Sequence, residues 1–137
     1  MSLEIHEHTR EGIAVLELKG RITAGPEATA LREKIAALNT AGSRNVVLNL
    51  AGVDYIDSTG LGALVLVANT LRKSDGGLKL LNLNRRNIEL LVMTKLATVF
   101  EIFNDEQDAV NAFYPDRKIK TFDILSFVQN LKKEEQT

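Results

Sequence analysis

Nine consecutive residues, DYIDSTGLG (54–62), bring together side chains that could carry chemistry. They include two carboxylates, two adjacent hydroxyls and two glycines, and the strand-like run VVLNL (46–50) comes just before them. The hydroxyl of Ser58 or Thr59 could accept a phosphoryl group, which adds nearly two negative charges. A hydroxyl at a helix start can instead cap the helix, which is worth about 1 kcal/mol. Spacing alone leaves both roles open.

Two glycines in the first turn of the following helix favour the functional role. Gly60 and Gly62 each cost about 0.8–1 kcal/mol of helix propensity relative to alanine. Glycines leave the backbone bare, so that a partner or a phosphate can come close. A phosphoryl group on Ser58 would lie beside Asp57 and near Asp54, and repulsion would change the surface that a partner meets. We therefore predict a charge switch at Ser58.

Enzyme motifs fit these residues poorly. A nucleophile elbow, G-x-S-x-G, needs a glycine where Ile56 stands, and a serine hydrolase needs a histidine base. His6 and His8 are the only histidines, and the chain has no cysteine. The phosphate-binding G-x-x-x-x-G-K-[ST] is absent, and a dinucleotide fingerprint lacks its third glycine. We expect no enzyme, no cofactor and no metal, with both histidines as surface residues of an edge strand.

Composition is that of one globular domain of 137 residues, with 45% hydrophobic and 26% charged residues. A net charge of −1 suggests neither nucleic-acid nor membrane-surface binding. The apolar runs are far shorter than the ~20 residues that span a bilayer. The charged N-terminus is unlike a signal peptide, and the lack of cysteine fits a reducing compartment. We expect a cytoplasmic protein.

Apolar periodicity predicts an opening hairpin followed by alternating strands and helices. Such alternation indicates parallel strand pairing through right-handed crossovers. The predicted elements are strands 3–8 and 13–19, a helix from Pro26 to Gly42, strand 46–50, helix 58–73, strand 78–83, helix 86–94 begun by Asn84, strand 100–103, and a helix capped by Asn104 or Asp105 that reaches Phe113.

The helical stripes predict which residues are buried. Arg85 and Arg86 are expected to be solvated charges, with a phosphate clamp as the weaker alternative. Leu61 and Val65 are expected to be divided between core and rim. The core positions predicted for the first two helices are Ala28, Leu31, Ile35, Leu38, Leu64, Ala68 and Leu71.

Pro115 marks the one break in composition. Residues 115–137 are predicted to form an extension in which Thr121 caps an amphipathic helix. A helix this short is marginal alone in water, so we expect it to dock on its own domain or to form a homodimer contact. Its apolar stripe is Ile124, Phe127, Val128 and Leu131.

The chain resembles the STAS domain family, and within it the bacterial anti-sigma factor antagonists. The D-S-[ST]-G-L-G core after a hydrophobic strand is the most specific match, and the resemblance covers residues 3–113. It implies an α/β fold over residues 1–114, with a mixed, largely parallel sheet of four or five strands, an N-terminal antiparallel hairpin, and helices chiefly on one face. The pieces that carry the resemblance are GRITAGPEATALREKI (20–35), VVLNLAGVDYIDSTGLGALV (46–65), GGLKLLNLN (76–84) and LATVFEIFNDEQDAV (96–110).

The resemblance also implies a partner switch. In the family, an anti-sigma factor that is itself a serine kinase phosphorylates the serine after the aspartate, here Ser58, with Thr59 the less favoured acceptor. The unmodified antagonist binds that kinase and frees the sigma factor, and a metal-dependent serine phosphatase restores it. Thr23 stands where family members often carry an acidic residue. The implied partner-binding residues are Thr23, Asp57, Ser58, Thr59, Gly60, Leu61 and Gly62.

An alternative within the same family is a protein that does not switch. Some members serve as scaffold or ligand-binding subunits of lipid-transport complexes or stress-sensing assemblies. The same helix would then bind its partner without modification.

Overall fold

The computed structural model describes residues 3–119, 122–124 and 126–130. Strands and helices alternate after an opening hairpin, as the sequence predicted. None of the helices in the described ranges is long and apolar enough to cross a membrane. The elements are β1 (Glu4–Arg10), β2 (Ile13–Ile22), α1 (Pro26–Thr40), β3 (Asn45–Ile56), α2 (Ser58–Lys73), β4 (Gly77–Leu81), α3 (Arg85–Met93), β5 (Glu101–Phe103) and α4 (Glu106–Asn111).

The five strands form one mixed sheet in the order β1-β2-β3-β4-β5. β1 and β2 pair antiparallel from Arg10 opposite Ile13 to Glu4 opposite Lys19. The other neighbouring strands pair parallel, each joined by a helix. The predicted fold class is confirmed.

Helices cover the two faces of the sheet unequally. Buried residues of α1, α2 and α3 pack with one set of alternate strand residues, including Leu16, Leu48 and Leu80. On the other face α4 packs on Val15 and Val47, together with Phe103. Because successive strand residues point to opposite faces, each central strand contributes to both cores. Helices therefore lie chiefly on one face, as predicted.

β3 is the element that departs furthest from its predicted length. It runs for 12 residues, from Asn45 to Ile56, whereas the apolar run ends at Leu50. Exposed Ala51 and Gly52 interrupt the apolar pattern, yet the strand continues because β2 stays paired with it as far as Ile56. The extra length carries the DYIDSTGLG segment to the edge of the sheet.

The helix starts agree with the sequence prediction and resolve one choice. Pro26 opens α1, whose predicted core residues are all buried. The Asn84 side chain accepts the N–H of Asn87 at 2.8 Å and so caps α3. For α4 the cap is Asp105 and not Asn104, since the Asp105 carboxylate accepts the N–H of Asp108 at 3.0 Å.

Several described residues after Pro115 pack on the chain's own domain. Phe122 donates its backbone N–H to the carbonyl of Ile102 at 2.9 Å, alongside β5. Phe122, Ile124 and Phe127 are partly buried against the main core, while Val128 is half-buried. Thr121, the predicted cap, and Leu131 lie outside the described residues. The division at residue 114 and the homodimer stay predictions.

Two leucines two residues apart in α2 provide a test of this packing. Leu64 is fully buried, whereas Leu66 is 49% exposed. We expect Leu64→Ala to lower the free energy of unfolding by about 2–5 kcal/mol, because it leaves a cavity in the main core. Leu66→Ala should change it by no more than about 0.5 kcal/mol. Urea denaturation followed by circular dichroism measures both, and equal effects would contradict the placement of α2.

Candidate functional site

The site lies where the carboxyl ends of β2 and β3 meet. Parallel pairing sets Ile22 beside Ile56, and the N–H of Asp57 donates to the carbonyl of Ile22 at 3.2 Å. The loop between β2 and α1 is thereby brought against the first turn of α2. In open α/β sheets, ligands bind in crevices outside the carboxyl ends of the strands.

The Asp57 carboxylate joins the two loops. Its Oδ1 accepts the N–H of Gly60 at 2.7 Å, which caps α2, and its Oδ2 accepts the N–H of Ala24 at 3.0 Å. These two backbone hydrogen bonds lower the pKa of the Asp57 carboxyl below its usual range. Asp57 is therefore a fixed negative charge at neutral pH.

The hydroxyl of Ser58 is left available by this arrangement. Ser58 is the first residue of α2 and is exposed, as is Thr59. Within the part of the chain that the structure describes, neither hydroxyl has a hydrogen-bond partner. The alternative role of a hydroxyl as helix cap is thus taken by Asp57. The Ser58 oxygen is open to solvent and to a modifying enzyme, and its phosphorylation stays a prediction.

Gly60 serves a different purpose from the one expected. It is buried, and a Cβ built on it would lie 1.9 Å from the carbonyl oxygen of Ile22. Its lack of a side chain lets α2 approach the end of β2, and does not open the backbone to a partner. A Cβ on Gly62 would meet no atom within 4 Å among the described residues, so Gly62 alone fits the expected bare surface.

The apolar residues of α2 are mostly structural. Leu64, Ala68 and Leu71 are buried, as predicted. Leu61 is also buried, with 5% of its surface exposed, while Val65 is half-buried against the same core. Leu61 therefore shapes the helix start from beneath and offers little surface to a partner.

Thr23 lies in the loop that Asp57 holds. Its carbonyl accepts the N–H of Ala28 at 3.1 Å, which helps to begin α1. In the described ranges its hydroxyl makes no hydrogen bond. The half-buried Thr23 side chain adds no charge to the loop, so Asp57 supplies the carboxylate there.

A neighbouring surface was missed by the sequence analysis. Arg86 stacks over the ring of Tyr55 at 5.1 Å, beside a shallow pocket of about 190 Å³ that also borders Met93, which is 80% exposed. Arg85 pairs with Glu89 at 3.2 Å, and both arginines are exposed, as expected. No periodicity marks this surface, because its residues come from β3 and α3.

Comparisons with known proteins agree on the family. The family model described as STAS domain matches residues 4–109. BtrV of Bordetella bronchiseptica, which carries the name of an anti-sigma factor antagonist, is 33% identical over 103 residues, or 75% of this chain and 88% of BtrV. The anti-sigma-B factor antagonist of Bacillus subtilis is 33% identical over 102 residues, or 74% of this chain and 92% of that protein.

Solved structures show the same fold. An anti-sigma factor antagonist from Mycobacterium paratuberculosis superposes with a TM-score of 0.69 at 22% identity, covering 80% of this chain and 92% of that one. The Bacillus protein SpoIIAA in its unphosphorylated form gives a TM-score of 0.62 at 21% identity, covering 82% of this chain and 98% of that one. The resemblance drawn from the sequence motifs is confirmed.

The two glycines of α2 form a matched pair for testing the site's packing. Gly60→Ala should destabilise the protein by about 1–3 kcal/mol, since the added methyl group forces α2 away from the end of β2. Gly62→Ala should stabilise it by up to about 1 kcal/mol through helix propensity. Thermal unfolding of both variants measures this. If Gly60→Ala is as stable as the wild type, the close approach is wrong.

The lowered pKa of Asp57 predicts how its contribution to stability depends on pH. At pH 7, Asp57→Ala should cost about 0.5–2 kcal/mol, the usual cost of losing a helix cap. A carboxyl whose pKa is lowered by folding stabilises the protein above its unfolded-state pKa, and that contribution is lost as the pH falls through the folded-state pKa.

The difference between wild type and Asp57→Ala should therefore shrink as the pH is lowered below about 4. Asp54→Ala is the control, because Asp54 is exposed and makes no side-chain hydrogen bond within the described ranges. Chemical denaturation at a series of pH values measures both differences. A difference for Asp57→Ala that does not change with pH would contradict the proposed hydrogen bonding.

Proposed function

The chain belongs to the STAS domain family, and we propose that it acts as an anti-sigma factor antagonist controlled by phosphorylation of Ser58. In this proposal the unmodified protein binds an anti-sigma factor that is also a serine kinase, and so releases a sigma factor. The kinase phosphorylates Ser58 and ends the complex, and a serine phosphatase restores it. The protein is then a cytoplasmic regulator that catalyses no reaction of its own.

The exposed Ser58 hydroxyl is the observation that carries the proposal. It stands at the start of α2 with no partner among the described residues, whereas the neighbouring Asp57 carboxylate makes the cap. A kinase can reach such a hydroxyl without opening the helix. The names of the relatives support the choice of partner.

The surroundings of Ser58 explain why a phosphoryl group would prevent binding. The Asp57 carboxylate already accepts the N–H of Gly60 and that of Ala24, so neither of these donors is available to a second anion. A phosphoryl group would add nearly two charges beside this carboxylate. An interface that buries those charges without a cation loses affinity.

The switch would act on surface charge and leave the backbone in place. Gly60 packs against the carbonyl of Ile22 and Asp57 ties both loops, so the helix start has little freedom to move. Ser58, Thr59 and Gly62 form the exposed part of the proposed partner surface. Gly60 and Leu61 support it from within, and Thr23 lies at its border.

Labelling and binding experiments with matched variants test the proposal. The purified protein is incubated with ATP and its cognate anti-sigma factor kinase, and the modified residue is mapped by mass spectrometry. We expect labelling of wild type and Thr59→Ala, and none of Ser58→Ala. Ser58→Asp should bind the kinase about 2–5 kcal/mol more weakly than Ser58→Ala, by calorimetry.

Two outcomes would contradict this function. Undiminished labelling of Ser58→Ala would place the acceptor elsewhere. Equal binding of Ser58→Asp and Ser58→Ala would show that charge at this position does not control the complex, as expected for a STAS scaffold that does not switch.

A further inference from the structure

A histidine and two glutamates from three elements meet on the face of the sheet that carries α4. His8 lies on β1, Glu17 on β2, and Glu106 is the first residue of α4. One nitrogen or oxygen atom of each lies within 4.8 Å of the others. The pairing of His8 with Val15 places this cluster toward the amino end of β2, away from Ser58.

The imidazole nitrogen of His8 and a carboxylate oxygen of Glu106 are about as far apart as two ligand atoms that bind the same metal ion. His8 Nε2 and Glu106 Oε1 are 3.1 Å apart. Zinc binds histidine nitrogen and carboxylate oxygen at about 2.0–2.2 Å, so two ligands of a tetrahedral ion lie about 3.3 Å apart. A small movement of these two side chains would admit the ion between them.

Arg10 orients one of the carboxylates. It donates to Glu106 Oε2 at 2.7 Å, which leaves Oε1 directed at His8. Carboxylates that bind metals commonly accept such a hydrogen bond from a second residue. The two carboxylates carry two negative charges and the Arg10 guanidinium carries one positive charge. The cluster therefore has a net negative charge.

The position of the Glu17 side chain is not explained by an ion pair. The pairing of His8 with Glu106 accounts for those two side chains, and Arg10 adds to it. The half-buried Glu17 has no hydrogen bond or salt bridge within the described residues, although its carboxylate lies close to that of Glu106. The Glu17 carboxylate is therefore available as a further ligand beside His8 and Glu106.

We propose that His8, Glu17 and Glu106 bind a zinc-type transition metal ion, with water in the fourth position. The imidazole favours such an ion over magnesium or calcium, which prefer oxygen ligands alone. From the sequence, His6 and His8 lacked further ligands and were expected to be surface residues. The fold supplies the missing ligands from β2 and α4. The ion would join the edge hairpin to α4.

Calorimetric titration of the purified full-length chain with zinc chloride tests the site. We expect one ion to bind per chain, with no comparable binding of magnesium chloride. Glu17→Gln and His8→Gln should each weaken zinc binding at least tenfold, since even a residue that only orients a ligand contributes about 10–100-fold. Glu17→Gln removes no hydrogen bond seen among the described residues, so it should fold as the wild type does.

The matched control is His6→Gln. His6 is the other histidine of β1, is exposed, and lies opposite Glu17 in the pairing of β1 with β2, but its ring contacts Glu4 and is not one of the three side chains of the cluster. Its substitution should leave zinc binding unchanged. Loss of binding in His6→Gln equal to that in His8→Gln would overturn the proposed set of ligands, as would equal zinc binding by all the variants, which would indicate an adventitious ion only. Unchanged binding in Glu17→Gln, or none in the wild type, would overturn the proposal without affecting the function proposed for Ser58.

Discussion

The structure around the proposed switch depends on one carboxylate that binds two loops. Asp57 accepts one N–H from the start of α2 and another from the loop that leads into α1. Both donors would otherwise be unpaired groups at the edge of a parallel sheet, where water competes for them. Because one ionised side chain satisfies both, its hydrogen bonds join the two loops, in addition to the close contact of Gly60 with Ile22.

Because of this arrangement, the residue that caps α2 is Asp57, and the residue that could be modified is Ser58. In a serine that capped its own helix, phosphorylation would change the capping group itself and so alter the hydrogen bonds of the helix start. Here Asp57 makes the cap and Gly60 allows the close contact with β2. Modification of Ser58 would therefore alter charge while the supporting backbone keeps its hydrogen bonds.

Sequence reasoning predicted elements that depend on local chemistry. The ends and buried stripe of α1 follow from Pro26 and from apolar residues at helical spacing. The length of β3 could not be predicted in the same way, since Ala51 and Gly52 break the apolar pattern and pairing with β2 sustains the strand. The role of Gly60 was misassigned because its neighbour, the carbonyl of Ile22, lies in another strand.

Contacts between distant parts of the sequence also explain why neither the Ser58 site nor the proposed metal site could be interpreted without the fold. The motif after β3 located Ser58 from nine consecutive residues, but Asp57 acquires its second bond from Ala24, 33 residues earlier. His8 and Glu106 are 98 residues apart, and only the pairing of β1 with β2 and the packing of α4 bring them together with Glu17. A local motif can identify a reactive group, whereas the charges that surround it are assembled by the sheet.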